Sequence, residues 1–210
     1  MATKKAESEV SNMEFNLRKS TVTIPIEGIA PLIVSRFDEK CKTEIAEKAP
    51  GKLKQGKKKV EDPEEQYKKS LYYLSDKKRT GFPAVAFKAA MVRAAQVIYD
   101  MQMVRTRTLF RVLADDPDTG LVEIHGEHRM REDMVRVGAM TKVASPRYRA
   151  EYPKWSANIT IEYVEDALTE QQIVGLLNAA GFACGVGEWR PEKSNSGSFG
   201  LFEVVTKAGA

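Results

Sequence analysis

The stretch Gly185–Val205, GVGEWRPEKSNSGSFGLFEVV, decides how the chain is read. Gly185 and Gly187 precede a Trp189-Arg190-Pro191 step, a polar run with Lys193, Ser194 and Asn195 follows, and Gly197 and Gly200 lead into an apolar end. Glycine serves where a backbone takes positive φ or another backbone comes very close, so four in this interval describe a shaped loop rather than a slack linker. Upstream, Thr169 as N-cap with Gln172 three residues on, then Ile173, Leu176, Leu177 and Ala180 on one face and Gly181 as stop, predict a helix over 169–181. Downstream, Phe199–Val205 predicts a strand. Helix, glycine-rich loop and closing strand form the local grammar.

At 210 residues the chain can build one good core. We expect one domain over 16–210, preceded by an arm over 1–15 whose mixed polar composition orders only against a partner. Insertions are expected at about 39–80 and 127–154. The formal net charge is +4, with 30% charged residues, and these are unevenly placed. Cys41 and Cys184 lie far apart and form no CxxC pair, which excludes a disulfide framework or zinc knuckle and fits a reducing, cytoplasmic setting. No apolar run reaches membrane-spanning length, and the polar start MATKKAESEVSN lacks a signal-peptide core.

Working outward, Val22, Ile24 and Ile26 alternate with polar neighbours, the period of a half-buried strand, and Leu32–Val34 continues in extended form. The segment GKLKQGKKKVEDP carries Lys52, Lys54, Lys57, Lys58 and Lys59 with almost nothing apolar. It is either a solvated loop or a finger whose lysines displace counterions from a nucleic acid. Asp62, Pro63 and Glu65 have the spacing of a capped helix start, with Tyr67, Leu71 and Leu74 as its stripe. Gly81 and Pro83 predict a turn, after which Phe87, Met91, Ala94, Ala95 and Ile98 recur at helical spacing and Lys88 and Arg93 face outward.

The turn and helix GFPAVAFKAAMVRAA resemble the Ile-Pro-Gly-Ser-Ser-Leu-Lys helix of the RAMP superfamily, specifically the backbone subunits that coat guide RNA in CRISPR effector complexes. The loop GVGEWRPEKSNSGSFG resembles the glycine-rich loop that superfamily carries between its last helix and last strand. The ending is also similar to that of a group of bacteriophage proteins sharing a G-WRP…G-FG-F pattern. Ala86 and Ala89 stand where the helix motif usually has serine and glycine. The resemblance implies an α+β, ferredoxin-like (RRM-like) core with an antiparallel sheet, an inserted basic loop and a protruding β-hairpin, binding single-stranded nucleic acid.

Between the matched ends, Met103–Leu113 alternates Arg105, Arg107 and Arg111 with Val104, Thr106, Leu109 and Val112, which predicts a strand with its arginines on the open side. DDPDTG signals a turn and LVEIHG a returning strand. His125 and His128 stand near Glu123 and Glu127, but in a strand and its turn that spacing does not converge a tetrahedral set, so no metal and no cofactor is expected. Arg129, Arg131, Arg136, Lys142, Arg147, Arg149 and Lys154 are interleaved with Tyr148, Tyr152 and Trp155, as single-strand binding requires: cations track phosphates and rings stack on bases. The same pattern also describes a basic hairpin whose aromatics are core. In the resembled family a thumb hairpin protrudes about here, with Glu132–Ala144 as the counterpart. Ser156–Val164 alternates as a strand.

The expected function is binding of single-stranded RNA, or else single-stranded DNA, by copies assembled side by side as a filament or ring. Phosphates would be held by Lys88, Arg93, Arg190, Lys193, the lysine segment and the arginine run, and by backbone amides of Gly185, Gly187 and Gly197. Tyr148, Trp155 and Trp189 are the candidate rings. Two other readings stay open: a metal-independent endoribonuclease using Asp38, His125 or His128 as the RAMP resemblance implies, or a structural phage assembly protein.

Overall fold

The structure is a computed structural model that describes residues 16–36, 62–137 and 143–205, with the side chains of 136, 137 and 143 outside the description. The arm over 1–15, Asp38, Lys52, Lys54, Lys57, Lys58, Lys59, Lys142 and the Arg136 side chain therefore lie outside the described residues.

The alternating segments form the central sheet. In β1 (Lys19–Gly28) Ile24 and Ile26 are buried, and in β9 (Ser156–Val164) Ala157, Ile159, Ile161 and Tyr163 are buried. The two pair antiparallel in a register that opposes Val22 to Ile161 and Ile24 to Ile159, so both apolar rows face one side. β5 (Phe110–Leu113) adds to β9, and β10 (Phe202–Val204) adds to β1, giving the antiparallel order β10-β1-β9-β5. Helices α2 (Ala84–Tyr99) and α4 (Glu170–Ala183) cover the apolar side, with Phe87, Met91, Ala94 and Ala95 meeting Ile173, Leu176, Leu177 and Ala180 in one core. The chain order β1-α2-β5-β9-α4-β10 is the split β-α-β arrangement of a ferredoxin-like fold. The other side stays open and carries Thr21, Thr23, Glu27, Asn158, Thr160, Glu162, Arg111 and Glu203. Among the described residues this open face has no aromatic ring on which a base could stack.

Two further three-stranded sheets extend the core. One has the order β2-β8-β7, from β2 (Leu32–Val34), β7 (Arg129–Val137) and β8 (Val143–Tyr152), and α1 (Pro63–Ser70) packs on β8. The other has the order β3-β4-β6, from β3 (Tyr72–Tyr73), β4 (Thr80–Pro83) and β6 (Leu121–Glu123).

Several local expectations are corrected. Met103–Leu109 is a helix, α3, and only Phe110–Leu113 is extended. Thr106, buried, donates through Oγ1 to the Gln102 carbonyl at 2.9 Å, the i−4 bond of a helix, so the alternating arginines marked solvent exposure rather than a strand face. Gly81 and Pro83 lie in β4, Gly81 between Tyr72 and Glu123 and Pro83 opposite Leu121, instead of turning the chain. Gly181 does not stop α4; it sits within it because a Cβ there would come 2.0 Å from the Phe202 carbonyl oxygen. At α1, Asp62 holds the N-cap position but its side chain makes no capping bond. The α4 capping box forms as read: Thr169 Oγ1 accepts from the Gln172 N–H at 3.2 Å and the Gln172 carboxamide accepts from the Thr169 N–H at 2.9 Å.

Gly120 and Gly200 share a left-handed backbone, φ +70° and +67°, but a Cβ at Gly120 meets nothing within 4 Å whereas one at Gly200 lands 1.7 Å from the Val186 carbonyl oxygen. Gly120→Ala is expected to destabilise by only about 1 to 2 kcal/mol, the left-handed penalty. Gly200→Ala is expected to exceed about 3 kcal/mol because strand or loop must also move. Urea unfolding of the two variants measures the difference.

Candidate nucleic-acid interface

The hairpin β7–β8 segregates its side chains by parity. Its register opposes Arg129 to Glu151, Arg131 to Arg149 and Asp133 to Arg147 on one face, and Glu132 to Tyr148 and Met134 to Pro146 on the other. Four arginines thus share a face with two carboxylates. Glu151, 4% exposed, accepts from Arg129 Nε and Arg131 Nη1, both at 2.7 Å. Asp133, 7% exposed, accepts from Arg131 Nε at 2.9 Å. Burial pushes the Glu151 carboxyl up, but hydrogen bonds and charge from Arg129 and Arg131 outweigh it and hold it below its ordinary value.

The glycine-rich loop lies on this face. Glu188 N–H donates to the Ile33 carbonyl of β2 at 2.9 Å, Gly200 N–H to Pro31 at 2.8 Å, and Val186 N–H to Gly200 at 2.9 Å. Gly187 is required at its place because a Cβ would lie 2.6 Å from the Ile33 carbonyl oxygen. So tethered, the loop holds Trp189 in a left-handed conformation, φ +53°, with its indole against two guanidinium groups: Arg149 at 5.2 Å and Arg131 at 5.5 Å from the ring centroid. Arg131 also lies 4.9 Å from the Phe199 ring. Desolvated cation–π contacts of this kind contribute up to about 2 kcal/mol each.

This geometry changes the roles read from sequence. Arg131 and Arg149 are packing residues between hairpin and loop, and Trp189 is their partner rather than a free platform. Arg190 staples the loop internally, donating through Nη1 to the Gly187 carbonyl at 2.8 Å and through Nε to Glu192 at 3.0 Å. The Gly185 and Gly197 amides donate to the Ala180 and Ser194 carbonyls, so they are not phosphate donors. Trp155 is corrected outright: it is 3% exposed, lies against Gly28 and Phe202, and donates Nε1–H to the Ala30 carbonyl at 2.9 Å, leaving no face for a base.

The remaining candidates are distributed. Arg147, Lys154 and Lys193 are exposed and form no ion pair with a described residue, and Tyr148 is half-buried on the hairpin's opposite face. Lys88 and Arg93 are half-buried on α2, with Arg93 Nη1 donating to Gln96 at 2.6 Å. Burial and Glu192 push the Cys184 thiol up while Arg93 and Arg190 pull it down, which puts those two arginines within electrostatic reach of one buried sulfur at the end of α4. His125 and His128 line an open cleft with Lys78, Arg79, Glu123 and Glu127. His128 Nδ1 is engaged by the Tyr67 hydroxyl at 2.5 Å, and Arg79 is held by Asp76 and Glu123, each at 2.6 Å. Among the described residues no group of three or more His, Cys, Asp or Glu side chains forms a metal site.

Glu151, Asp133 and Phe199 are the members that sequence reading missed. Glu151 and Asp133 were visible as residues of the same parity as the arginines in RMRED and RYRAE, whereas Phe199 gave no signal: the strand expected from Phe199 onward begins only at Phe202.

No protein-family model matches the chain, and no curated protein matches it. Among solved structures, it is similar to a chain of the type III-B Cmr-beta bound to cognate target RNA, known from cryo-electron microscopy, with TM-score 0.50 and 9% identity over 98% of this chain. The RAMP resemblance holds at the level of fold. The chain spans 65% of that neighbour's length. Cmr6 from Pyrococcus furiosus is also similar, at TM-score 0.42 and 10% identity, covering 90% of this chain and 100% of Cmr6. Among the described residues no helix is long and apolar enough to cross a membrane.

Replacing Glu151 by glutamine removes the buried carboxylate that Arg129 and Arg131 share and leaves the half-buried Arg131 with Asp133 alone, at an expected cost of about 1 to 3 kcal/mol. Because the folded carboxyl lies below its ordinary value, its contribution is complete above the ordinary carboxylate range and is lost as pH falls below it. Stability measured by denaturant unfolding between neutral and acid pH should therefore fall less steeply in Glu151→Gln than in the parent chain. Arg147→Ala should stay within about 0.5 kcal/mol of the parent.

Proposed function

We propose that this chain binds single-stranded nucleic acid, RNA in preference to DNA, through cations at its periphery, and that copies assemble side by side along the strand. The observation that carries the reading is where uncompensated charge lies. The described residues hold equal numbers of basic and acidic side chains, so the whole formal excess of +4 belongs to the segments outside them, chiefly the lysine run over 52–59. The arginines nearest the core are consumed by Glu151, Asp133 and Trp189, whereas Arg147, Lys154 and Lys193 are exposed without a described ion-pair partner. Balanced charge over the described residues, with the cationic excess concentrated in the lysine run, fits a ligand whose backbone is a regular row of phosphates. The fold-level likeness to a chain of an assembly bound to target RNA agrees with this choice of polymer. The reading gives the histidine cleft no cleaving role: Arg79 there is held by Asp76 and Glu123, and His128 is engaged by the Tyr67 hydroxyl.

Changing Lys52, Lys54, Lys57, Lys58 and Lys59 together to alanine should weaken binding to a single-stranded RNA homopolymer. The log–log salt dependence should flatten by about 0.7 for every phosphate that the variant no longer neutralises. Thermal unfolding should be unchanged. Equal affinity and equal salt slope in parent and variant would contradict the assignment.

A further inference from the structure

The end of α2 and the start of α3 leave an apolar surface uncovered. Val97, Ile98, Tyr99, Met103 and Val104 are each between 41% and 64% exposed within one short interval of chain, where soluble proteins bury or cover such clusters. Arg105 and Arg107 follow directly and are exposed without an ion pair to a described residue.

The sheet register brings the start of the described chain near the residue that ends α3. Ser20 opposes Tyr163 in β9, and Tyr163 opposes Phe110, the residue into which α3 runs. Two strand spacings separate Ser20 from Phe110, about 10 Å. Arg18 pairs with Asp166 and its carbonyl accepts from Glu165 N–H, which fixes the segment at this end of the sheet. Phe15 is five residues from Ser20, a reach of up to about 17 Å in extended chain. After Lys4 and Lys5, residues 6–15 supply Val10, Met13 and Phe15 as apolar groups and Glu7, Glu9 and Glu14 as acids with no cation, complementary in both respects to the patch and its arginines.

We propose that the N-terminal segment of the same chain covers this patch, with Val10, Met13 and Phe15 over Val97–Val104 and its glutamates toward Arg105 and Arg107. This does not depend on nucleic-acid binding.

The test is amide hydrogen exchange of the full chain, read by mass spectrometry, in the parent and in Met13→Glu/Phe15→Glu. Displacing two large side chains should speed exchange over 96–104 by at least about tenfold while β9 and α4 keep their protection. A reciprocal variant, Val104→Glu, should speed exchange over 8–15 and keeps the test open if the first variant unfolds. Unchanged exchange in both would overturn the proposal. So would patch protection that rises with protein concentration and ignores the arm, which would give the surface to a second copy.

Discussion

The contact on which the rest of this molecule depends is the layer of Glu151, Arg131, Trp189 and Arg149. It is the place where three separately encoded pieces, the β7–β8 hairpin, β2 and the glycine-rich loop, are fixed to one another. Burying arginine is unfavourable without a partner, and here a carboxylate and an indole face supply it in two different ways. The left-handed backbone at Trp189 is unfavourable by about 1 to 2 kcal/mol for a residue with a side chain, so the loop is held in this shape by its anchors, not by local preference. The glycines serve that docking. They let backbone meet backbone at Ile33 and Val186 so that the indole arrives at the arginine face.

This layer separates charges that look alike in sequence. Arginines close to the loop are neutralised and packed, while Arg147 on the same face is exposed with no ion pair to a described residue. A strand binding here has no ring to stack on at the open sheet face, which among the described residues bears threonines, carboxylates and the cations Lys19 and Arg111 beside Glu162. That departs from ring-bearing sheets that stack bases directly.

How much was legible follows from which physical signal each element left. β1 and β9 bury one face each and so carry clean alternation, and α4 announces itself through Thr169 and Gln172. Those features are three of the six elements of the split β-α-β order. The helix α3 left no such mark: at seven residues it buries Thr106 alone, and its evenly spaced arginines mimic a strand. Trp155 could not be placed from its neighbours because the same basic, aromatic-rich text describes a stacking platform and a core hairpin. What decided it was Gly28, distant in sequence, whose missing side chain makes room for the indole. The pairing of Arg131 with Glu151 was latent in the parity of two strands, but only their register revealed it.

The most direct test of this division is photocrosslinking to single-stranded RNA carrying 4-thiouridine, with adducts located by peptide mass spectrometry. The account predicts adducts on the lysine segment over 52–59 and on the Arg147 side of the hairpin, with none at Trp189 or Phe199. Crosslinks concentrated at Trp189 and Phe199 would contradict it, because they would make the packed layer itself the strand-binding surface.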